Sequence, residues 1–189
     1  MSQQQTEQLK RQWRSVAARH ITRAASQSIS GIDEADLMAS ISLEDIDTLP
    51  HWCALEDEEL ATWQHTTGAL FVAPALFRSL NGEFLRRARD TIGSELFSRL
   101  LEETNLPDQA PNMTADDDLE HLLELAGAGV LSSLIRNDTL RELFGTRLLS
   151  HDTPCPTLEP DVANDLYLRC AAILTDDARS GETTGETTA

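Results

Sequence analysis

Residues 56–101, EDEELATWQHTTGALFVAPALFRSLNGEFLRRARDTIGSELFSRLL, carry the strongest helical pattern in this chain. The stretch opens with four acidic residues, which is typical of a helix start because carboxylates are stabilised by the positive end of the helix dipole. Apolar and small residues then recur at spacings of three and four, at Leu60, Trp63, Thr67 and Leu70. This spacing matches one face of a helix, so the sequence predicts an amphipathic helix that begins near Glu56.

Proline and glycine divide the rest of the stretch. Pro74 predicts the start of a new helix, because proline is well tolerated in a first helical turn. The pair Asn81-Gly82 suits a left-handed cap at the end of that helix, and Gly93 predicts the end of the helix after it. Ser94 is then expected to cap a further helix. The sequence therefore predicts three short helices that form a compact corner.

The segments before this stretch also repeat at helical spacing. Residues 5–25 predict a first helix, whose apolar face consists of Leu9, Trp13, Val16, Ile21 and Ala24. Residues 32–47 predict one or two short helices with four inward side chains, Leu37, Ile41, Leu43 and Ile46. Pro50 is expected to close this helical hairpin.

The C-terminal half follows the same pattern after a proline-rich loop at residues 104–115. Three aspartates at residues 116–118 lead an amphipathic helix that contains Gly127 and Gly129. Glycine inside a helix costs about 1 kcal/mol relative to alanine, so this pair predicts a close helix crossing or a kink. Asn137 or Asp138 is expected to cap the next helix. After a second proline-rich loop at 151–160, a last helix is lined by Val162, Leu166, Cys170 and Ile173.

No alternating strand pattern is present, so we predict an all-α fold, a compact bundle of about eight short-to-medium helices without significant sheet. Residues 1–30 are expected to form a basic amphipathic N-terminal helix. Residues 31–178 are expected to form the helical core domain. Residues 179–189 end in the low-complexity sequence SGETTGETTA and are expected to be a disordered tail.

The charge balance of the chain excludes several functions. The 189 residues include 32 acidic and 15 basic side chains, for a formal net charge of −17. Such a chain is a poor general binder of nucleic acid or anionic membranes. The basic residues concentrate in positions 1–25, so the remaining chain is even more acidic than the total. We expect a basic partner to meet the body and an acidic partner to meet the N-terminus.

The cysteine count and the apolar runs bear on location. Three cysteines cannot form a disulfide framework and fit a reducing cytosol. The N-terminus has no apolar segment after its basic residues, and the longest apolar run, residues 68–77, is interrupted by Pro74. We therefore expect neither a signal peptide nor a membrane-spanning helix.

Catalytic signatures are absent from the sequence, which has no glycine-rich phosphate loop, no Gly-x-Ser-x-Gly elbow and no His-Glu-x-x-His pair. The one set of zinc-compatible residues is His51, Cys53, His151 and Cys155. Its two halves are far apart in the chain and neither has the common Cys-x-x-Cys spacing, so surface histidines and buried thiols explain it better. We predict no enzyme activity, no cofactor and no metal.

Two groups of basic residues are candidates for binding a partner. The dense cluster consists of Arg78, Arg86, Arg87 and Arg89, and the second group lies on the N-terminal helix at Lys10, Arg11 and Arg14. Guanidinium groups suit the recognition of carboxylates or phosphates in a partner. The alternatives are that the arginines pair with acids of their own chain and that the N-terminal helix packs on the bundle. The tryptophans Trp13, Trp52 and Trp63 are expected to be packing anchors.

Residues 49–101 also carry a family resemblance. Its motifs are LPHW (49–52), EEL (58–60), GAL (68–70), APAL (73–76), LNG (80–82), LRRAR (85–89) and IG (92–93), with a looser match from Leu123 to Leu149 that includes AGAGVL (126–131). Together they resemble the K-subunit family of bacterial type III secretion systems, the SctK proteins of the cytoplasmic sorting platform. The matched motifs concern packing and not chemistry.

The resemblance implies a mostly helical, non-enzymatic adaptor at the cytoplasmic face of the inner membrane. Such an adaptor joins the forkhead-associated-like cytoplasmic domain of the inner-membrane ring protein to the C-ring-like pod protein. We expect the arginine cluster to meet the ring-side domain and an acidic face to meet the pod. Neither nucleic acid binding nor membrane insertion is expected.

Other functions remain open from the sequence. A secreted effector or a secretion chaperone of the same apparatus is compatible with the polar start MSQQQTEQ, although such chaperones are usually smaller, dimeric and strand-containing. A small helical enzyme or zinc-binding regulator would depend on the histidine and cysteine set described above. Mimicry of nucleic acid by the acidic surface is the least supported function.

Overall fold

This computed structural model describes residues 15, 16, 18, 19, 21, 22, 40–79, 81–109, 113, 117–149 and 157–182. Seven α-helices and one 3₁₀ helix begin and end within these residues. They are α1 (Leu43–Asp47), the 3₁₀ helix (His51–Ala54), α2 (Asp57–Arg78), α3 (Gly82–Ile92), α4 (Ser94–Glu102), α5 (Leu119–Ser133), α6 (Asp138–Gly145) and α7 (Pro160–Glu182). The described positions between residues 15 and 22 are also helical, and the described residues contain no strand. The predicted all-α fold is confirmed.

Helix α2 begins with the acidic turn that the sequence predicted, with Asp57, Glu58 and Glu59 in its first turn. The prediction that Pro74 starts a new helix is wrong, because α2 continues through Pro74 to Arg78. Proline inside a helix costs about 3 kcal/mol. Burial of the surrounding turns outweighs this cost, since α2 buries nearly every position from Thr66 to Leu76.

The break between α2 and α3 also differs from the prediction. Asn81 does not form a left-handed cap, because its φ of −84° is in the extended region. Instead it is the N-cap of α3, and its side-chain oxygen accepts hydrogen bonds from the backbone N–H groups of Glu83 and Phe84. Asparagine is among the best N-cap residues, which explains this outcome. Gly93 does end α3, with a φ of +93°, and α4 begins at the next residue without a side-chain cap from Ser94.

Two glycines bring the central helices α2 and α5 into backbone contact, and this pair shares the most extensive contact in the described chain. A Cβ atom at Gly68 would lie 2.1 Å from the carbonyl oxygen of Leu123. A Cβ atom at Gly127 would lie 1.9 Å from the carbonyl oxygen of Gln64. Only glycine fits at either position, so the predicted close crossing in the Gly127 helix is confirmed and its partner is Gly68.

The crossing separates two apolar clusters. The first packs α3, α4 and α7 against α2 and the first half of α5, with Leu70, Phe84, Leu123, Leu166 and Cys170 among its buried side chains. The second packs the 3₁₀ helix and α6 against the opposite face of α5, and it includes Ile21, Trp52, Leu131, Leu140 and Phe144. Trp63 and Leu134 contact both clusters, so the two cores are continuous.

The 3₁₀ helix is held in the second cluster by Trp52, which is fully buried as the sequence predicted. Its indole N–H donates a 3.0 Å hydrogen bond to the Leu131 carbonyl oxygen on α5, and its ring meets Phe144 edge to face. Arg147 fixes the other end, where its guanidinium donates to the carbonyl oxygens of Cys53 and Leu55. The 3₁₀ helix is therefore anchored to both α5 and the end of α6.

The N-terminal side of the bundle corrects one predicted core residue. The sequence predicts that Leu43 points inward, but it is 77% exposed, the largest value among the large apolar residues that the structure describes. A capping box between Ser42 and Asp45 begins the five-residue helix α1, in which Leu43 faces solvent while Ile41 and Ile46 pack partly against the second cluster. Leu37 lies outside the described residues.

The C-terminal helix α7 is longer than expected. It continues through Glu182, beyond residue 179, where the tail was predicted to begin. Residues 183–189 lie outside the described part. Among the helices that the structure describes, none has the length and apolar composition needed to cross a bilayer.

Candidate functional site

The predicted arginine cluster is divided between two helices. Arg78 ends α2 and forms an ion pair with Asp108 in the loop after α4. Arg86, Arg87 and Arg89 lie on α3, where all three are exposed. The prediction that Arg78 belongs with the other three is therefore not supported by its contacts, since a carboxylate of the same chain already neutralises it.

Helix α3 buries Phe84, Ala88 and Ile92 against the first cluster, at a spacing of four residues. This spacing turns Arg86 and Arg89 away from the core, and we call these two residues the arginine face. They are three positions apart, so their side chains are neighbours on the helix surface. Within the described part of the chain neither of them makes an ion pair, although Glu83 and Asp90 lie on the same helix.

The arginine face is unusual because other arginines in the described chain are engaged by carboxylates. The paired examples, besides Arg78, are Arg99, Arg141, Arg147 and Arg169. Arg19 and Arg136 are also exposed and without an ion pair among the described residues, and Arg86 and Arg89 differ from them in lying three positions apart on one described helix. Two like charges three positions apart destabilise a helix by about 0.2–0.5 kcal/mol. The helix dipole offsets this repulsion at Arg89, which lies in the last turn of α3, and the arginine face leaves two guanidinium groups accessible.

The N-terminal candidates have a different outcome. Lys10, Arg11 and Arg14 lie outside the described residues. Later in the same predicted helix, Ile21 is buried in the second cluster while Arg19 is exposed. The apolar side of this segment packs on the bundle at Ile21, which is the alternative that the sequence left open.

Two of the four candidate zinc residues, His51 and Cys53, lie within the described chain. Cys53 is fully buried in the second cluster, whereas His51 is exposed at the start of the same 3₁₀ helix. Burial raises the pKa of the Cys53 thiol well above its ordinary value, which disfavours the thiolate that zinc requires. His151 and Cys155 lie outside the described part, and the described residues hold no group of three or more potential ligands.

A cluster of aromatic and thiol side chains surrounds the 3₁₀ helix. The Tyr167 ring lies 4.9 Å from the Trp63 ring, and burial raises the pKa of the Tyr167 phenol to about 12. Burial also raises the pKa of Cys170 to about 12. These groups stay protonated at neutral pH, so the cluster stabilises the fold and supplies no nucleophile or base.

A groove that the sequence did not predict runs between α2, α3, α5 and the turn after α6. Its volume is about 870 Å³, and its lining is Ala61, Thr62, Gln64, His65, Thr91, Glu120, His121, Glu124, Thr146, Arg147, Leu148 and Leu149. The Gln64 amide N–H group donates hydrogen bonds of 3.0 Å to the carbonyl oxygens of Glu124 and Leu148 and so ties three elements together. We call this feature the acidic groove.

The carboxylates of the acidic groove are not ion-paired within the described chain, whereas its one arginine is. Glu120 and Glu124 are exposed one helical turn apart on α5, and neither carboxylate makes an ion pair within the described chain. Arg147 is the one arginine of the lining, but its guanidinium donates a 2.9 Å hydrogen bond to the Asp57 carboxylate and further hydrogen bonds to two backbone carbonyl oxygens. The groove therefore presents two carboxylates and no available cation.

No protein-family model, curated protein or solved structure matches this chain. The functional assignment therefore depends on the residues and geometry described above.

Proposed function

We propose that this chain is a non-enzymatic adaptor of a bacterial type III secretion system. It links the inner-membrane ring protein to the C-ring-like pod protein of the sorting platform at the cytoplasmic face of the inner membrane. The resemblance that motivates the proposal covers residues 49–101, which form the 3₁₀ helix and α2 to α4. An all-α chain without strands among its described residues is compatible with this role.

The observation that carries the proposal is the arginine face. Arg86 and Arg89 are accessible in a chain whose net charge is −17, and the chain's own carboxylates leave them unpaired in the described part. Guanidinium groups bind carboxylates through two parallel hydrogen bonds, which gives both affinity and orientation. An acidic surface on the ring-side domain is the partner that fits the arginine face.

Affinity capture of bound proteins from the bacterium that encodes the chain tests the proposal. A tag at the C-terminus and mass spectrometry of the captured proteins should recover the ring protein and the pod protein together. Reversing the charge of either arginine, by Arg86→Glu or Arg89→Glu, should reduce recovery of the ring protein and leave the pod protein bound. Arg136→Glu makes the same change at an exposed, unpaired arginine elsewhere in the described chain and should have no effect.

Three outcomes would refute the proposal. Recovery of neither protein would refute the adaptor function. Equal loss of the ring protein in the Arg136→Glu control would refute the role of the arginine face. Appearance of the chain in the culture supernatant in a secretion-dependent manner would instead identify it as an effector of the same apparatus.

A further inference from the structure

We infer that the acidic groove is the docking site for a basic segment of a protein partner, rich in arginine or lysine. The inference rests on the proposed function only in taking the ligand to be a protein. It gives the chain a second docking surface, opposite in charge to the arginine face and built from different residues.

Charge selects a cationic ligand for this groove. Glu120 and Glu124 supply two carboxylates on one helical face, and no unengaged arginine of the lining competes for them. The histidines of the lining, His65 and His121, add ring nitrogens that can form hydrogen bonds with a ligand. An anionic ligand would meet only repulsion here, whereas a guanidinium or ammonium group would gain charge-assisted hydrogen bonds.

The shape of the groove selects a macromolecular segment over a small molecule. Six of its lining residues are exposed, Ala61, Thr62, Thr91, Glu120, His121 and Glu124, so a ligand would remain partly in solvent. Small-molecule sites usually bury most of their ligand, which this groove does not do. A volume of about 870 Å³ is enough for a few residues of a peptide chain.

The floor of the groove is already ordered in the absence of a partner. Gln64 bridges α5 and the turn after α6 through its two hydrogen bonds, and His65 Nε2 lies 3.3 Å from the Ile92 carbonyl oxygen at the end of α3. All elements of the wall are therefore fixed relative to one another. Binding in a preformed groove avoids the entropic cost of ordering the site.

The test uses a fluorescently labelled twelve-residue peptide of alternating arginine and alanine, with a glutamate–alanine peptide as the opposite probe. The full chain should bind the arginine peptide at low ionic strength and should not bind the glutamate peptide. The double variant Glu120→Gln/Glu124→Gln preserves side-chain shape. It should weaken the affinity for the arginine peptide by about three- to tenfold, as expected for the loss of two exposed ion pairs. Circular dichroism verifies that the variant is folded.

A matched control separates the groove from the general negative charge of the chain. Glu159→Gln/Asp161→Asn removes two exposed carboxylates at the start of α7, which is also a helix N-terminus, and should leave peptide affinity unchanged. Chemical shift changes on peptide addition should concentrate at Thr62, His65, Thr91 and His121. Equal weakening by both double variants, or shift changes spread elsewhere on the surface, would overturn the inference.

A divalent metal is the other cation that the assay can detect. If zinc or magnesium at micromolar concentration displaced the peptide and shifted the His65 and His121 resonances, the groove would be a metal site and the inference would be wrong. The peptide assay contains no secretion component, so its failure is independent of the adaptor proposal. Conversely, Arg86→Glu should not change peptide binding, because the arginine face lies outside the groove.

Discussion

Gly127→Ala tests the close crossing of α2 and α5 that holds the fold together. The added Cβ atom would lie 1.9 Å from the Gln64 carbonyl oxygen and 2.7 Å from its carbonyl carbon, whereas ordinary contact begins at 3.4 Å. The obstacle is backbone, so no side-chain rotation relieves the clash. The two helices must therefore separate by about 1.5 Å at the crossing, and because a gap of about 0.5–1 Å already forfeits a quarter to a half of a dispersion contact, each contact that is opened loses more than that.

The expected loss of stability follows from three contributions. Overpacking of a buried site costs about 1–3 kcal/mol. Stretching the two hydrogen bonds of Gln64 adds about 1 kcal/mol for each bond that breaks. The higher helix propensity of alanine returns about 1 kcal/mol. We expect a net loss of about 3 kcal/mol in the free energy of unfolding, which for a chain of this length lowers Tm by about 6–12 °C.

Urea unfolding followed by circular dichroism measures this loss. Gly145→Ala is the matched control, because a Cβ atom at Gly145 meets no other atom within 4 Å, and its stability should be within about 0.5 kcal/mol of the original chain. Gly68→Ala should resemble Gly127→Ala, and the double variant should lose less than the sum, since the first substitution already separates the helices. If Gly127→Ala and Gly145→Ala had equal stability, the helices would not cross at backbone contact and our reasoning would be refuted.

Four further predictions concern individual side chains. Arg89→Glu should destabilise the chain by about 0.3–1 kcal/mol in urea unfolding, because it places a carboxylate beside Asp90 in the last turn of α3, where the helix dipole favours a cation; a gain in stability would show that repulsion between Arg86 and Arg89 outweighs the dipole. Trp52→Phe should cost about 2–3 kcal/mol through the lost indole hydrogen bond and the void left by the smaller ring, and an unchanged urea midpoint would contradict that burial. Cys53 and Cys170 should resist alkylation at pH 8 until the chain is unfolded, as read by peptide mapping, and labelling of the native chain at the rate of a free thiol would contradict their burial. Burial raises the pKa of Cys170 to about 12, so the native state keeps a proton that the unfolded thiol releases near pH 9. The stability that this group contributes is therefore complete below pH 9 and declines as the pH rises towards 12. Urea unfolding at successive pH values will measure this decline.

Much of the fold could be predicted because its signals are local. The acidic turn before Leu60, the cap at Asn137 and the stop at Gly93 each depend on a few neighbouring residues. The errors occurred where tertiary contacts override local preference. Pro74 remains inside α2 because the turns on both sides are buried, and Leu43 is exposed because Ile41 and Ile46 are the side chains of its segment that pack against the second cluster.

The candidate sites were predictable to different degrees. The arginines of α3 stand out in an acidic sequence, but the sequence could not show that Arg78 is paired with Asp108, because the loop that brings them together has no periodic pattern. The acidic groove could not be predicted at all. Its walls come from α2, α3, α5 and the turn after α6, and the sequence signal of Glu120 and Glu124 is that of an ordinary solvent-exposed helix face.

The glycine crossing connects the fold to one candidate site and not to the other. Glu124 and Gln64 meet only because Gly68 and Gly127 allow α2 and α5 to touch, so a separation of about 1.5 Å would break the floor of the acidic groove. The arginine face depends on α3, which packs through Phe84, Ala88 and Ile92 into the first cluster, and neither Arg86 nor Arg89 lines the groove. Gly127→Ala should therefore weaken binding of the arginine peptide under conditions where the chain remains folded and ring protein recovery is unchanged. Loss of peptide binding with unchanged ring protein recovery would show that the two docking surfaces are structurally independent, as an adaptor that holds two partners at once requires.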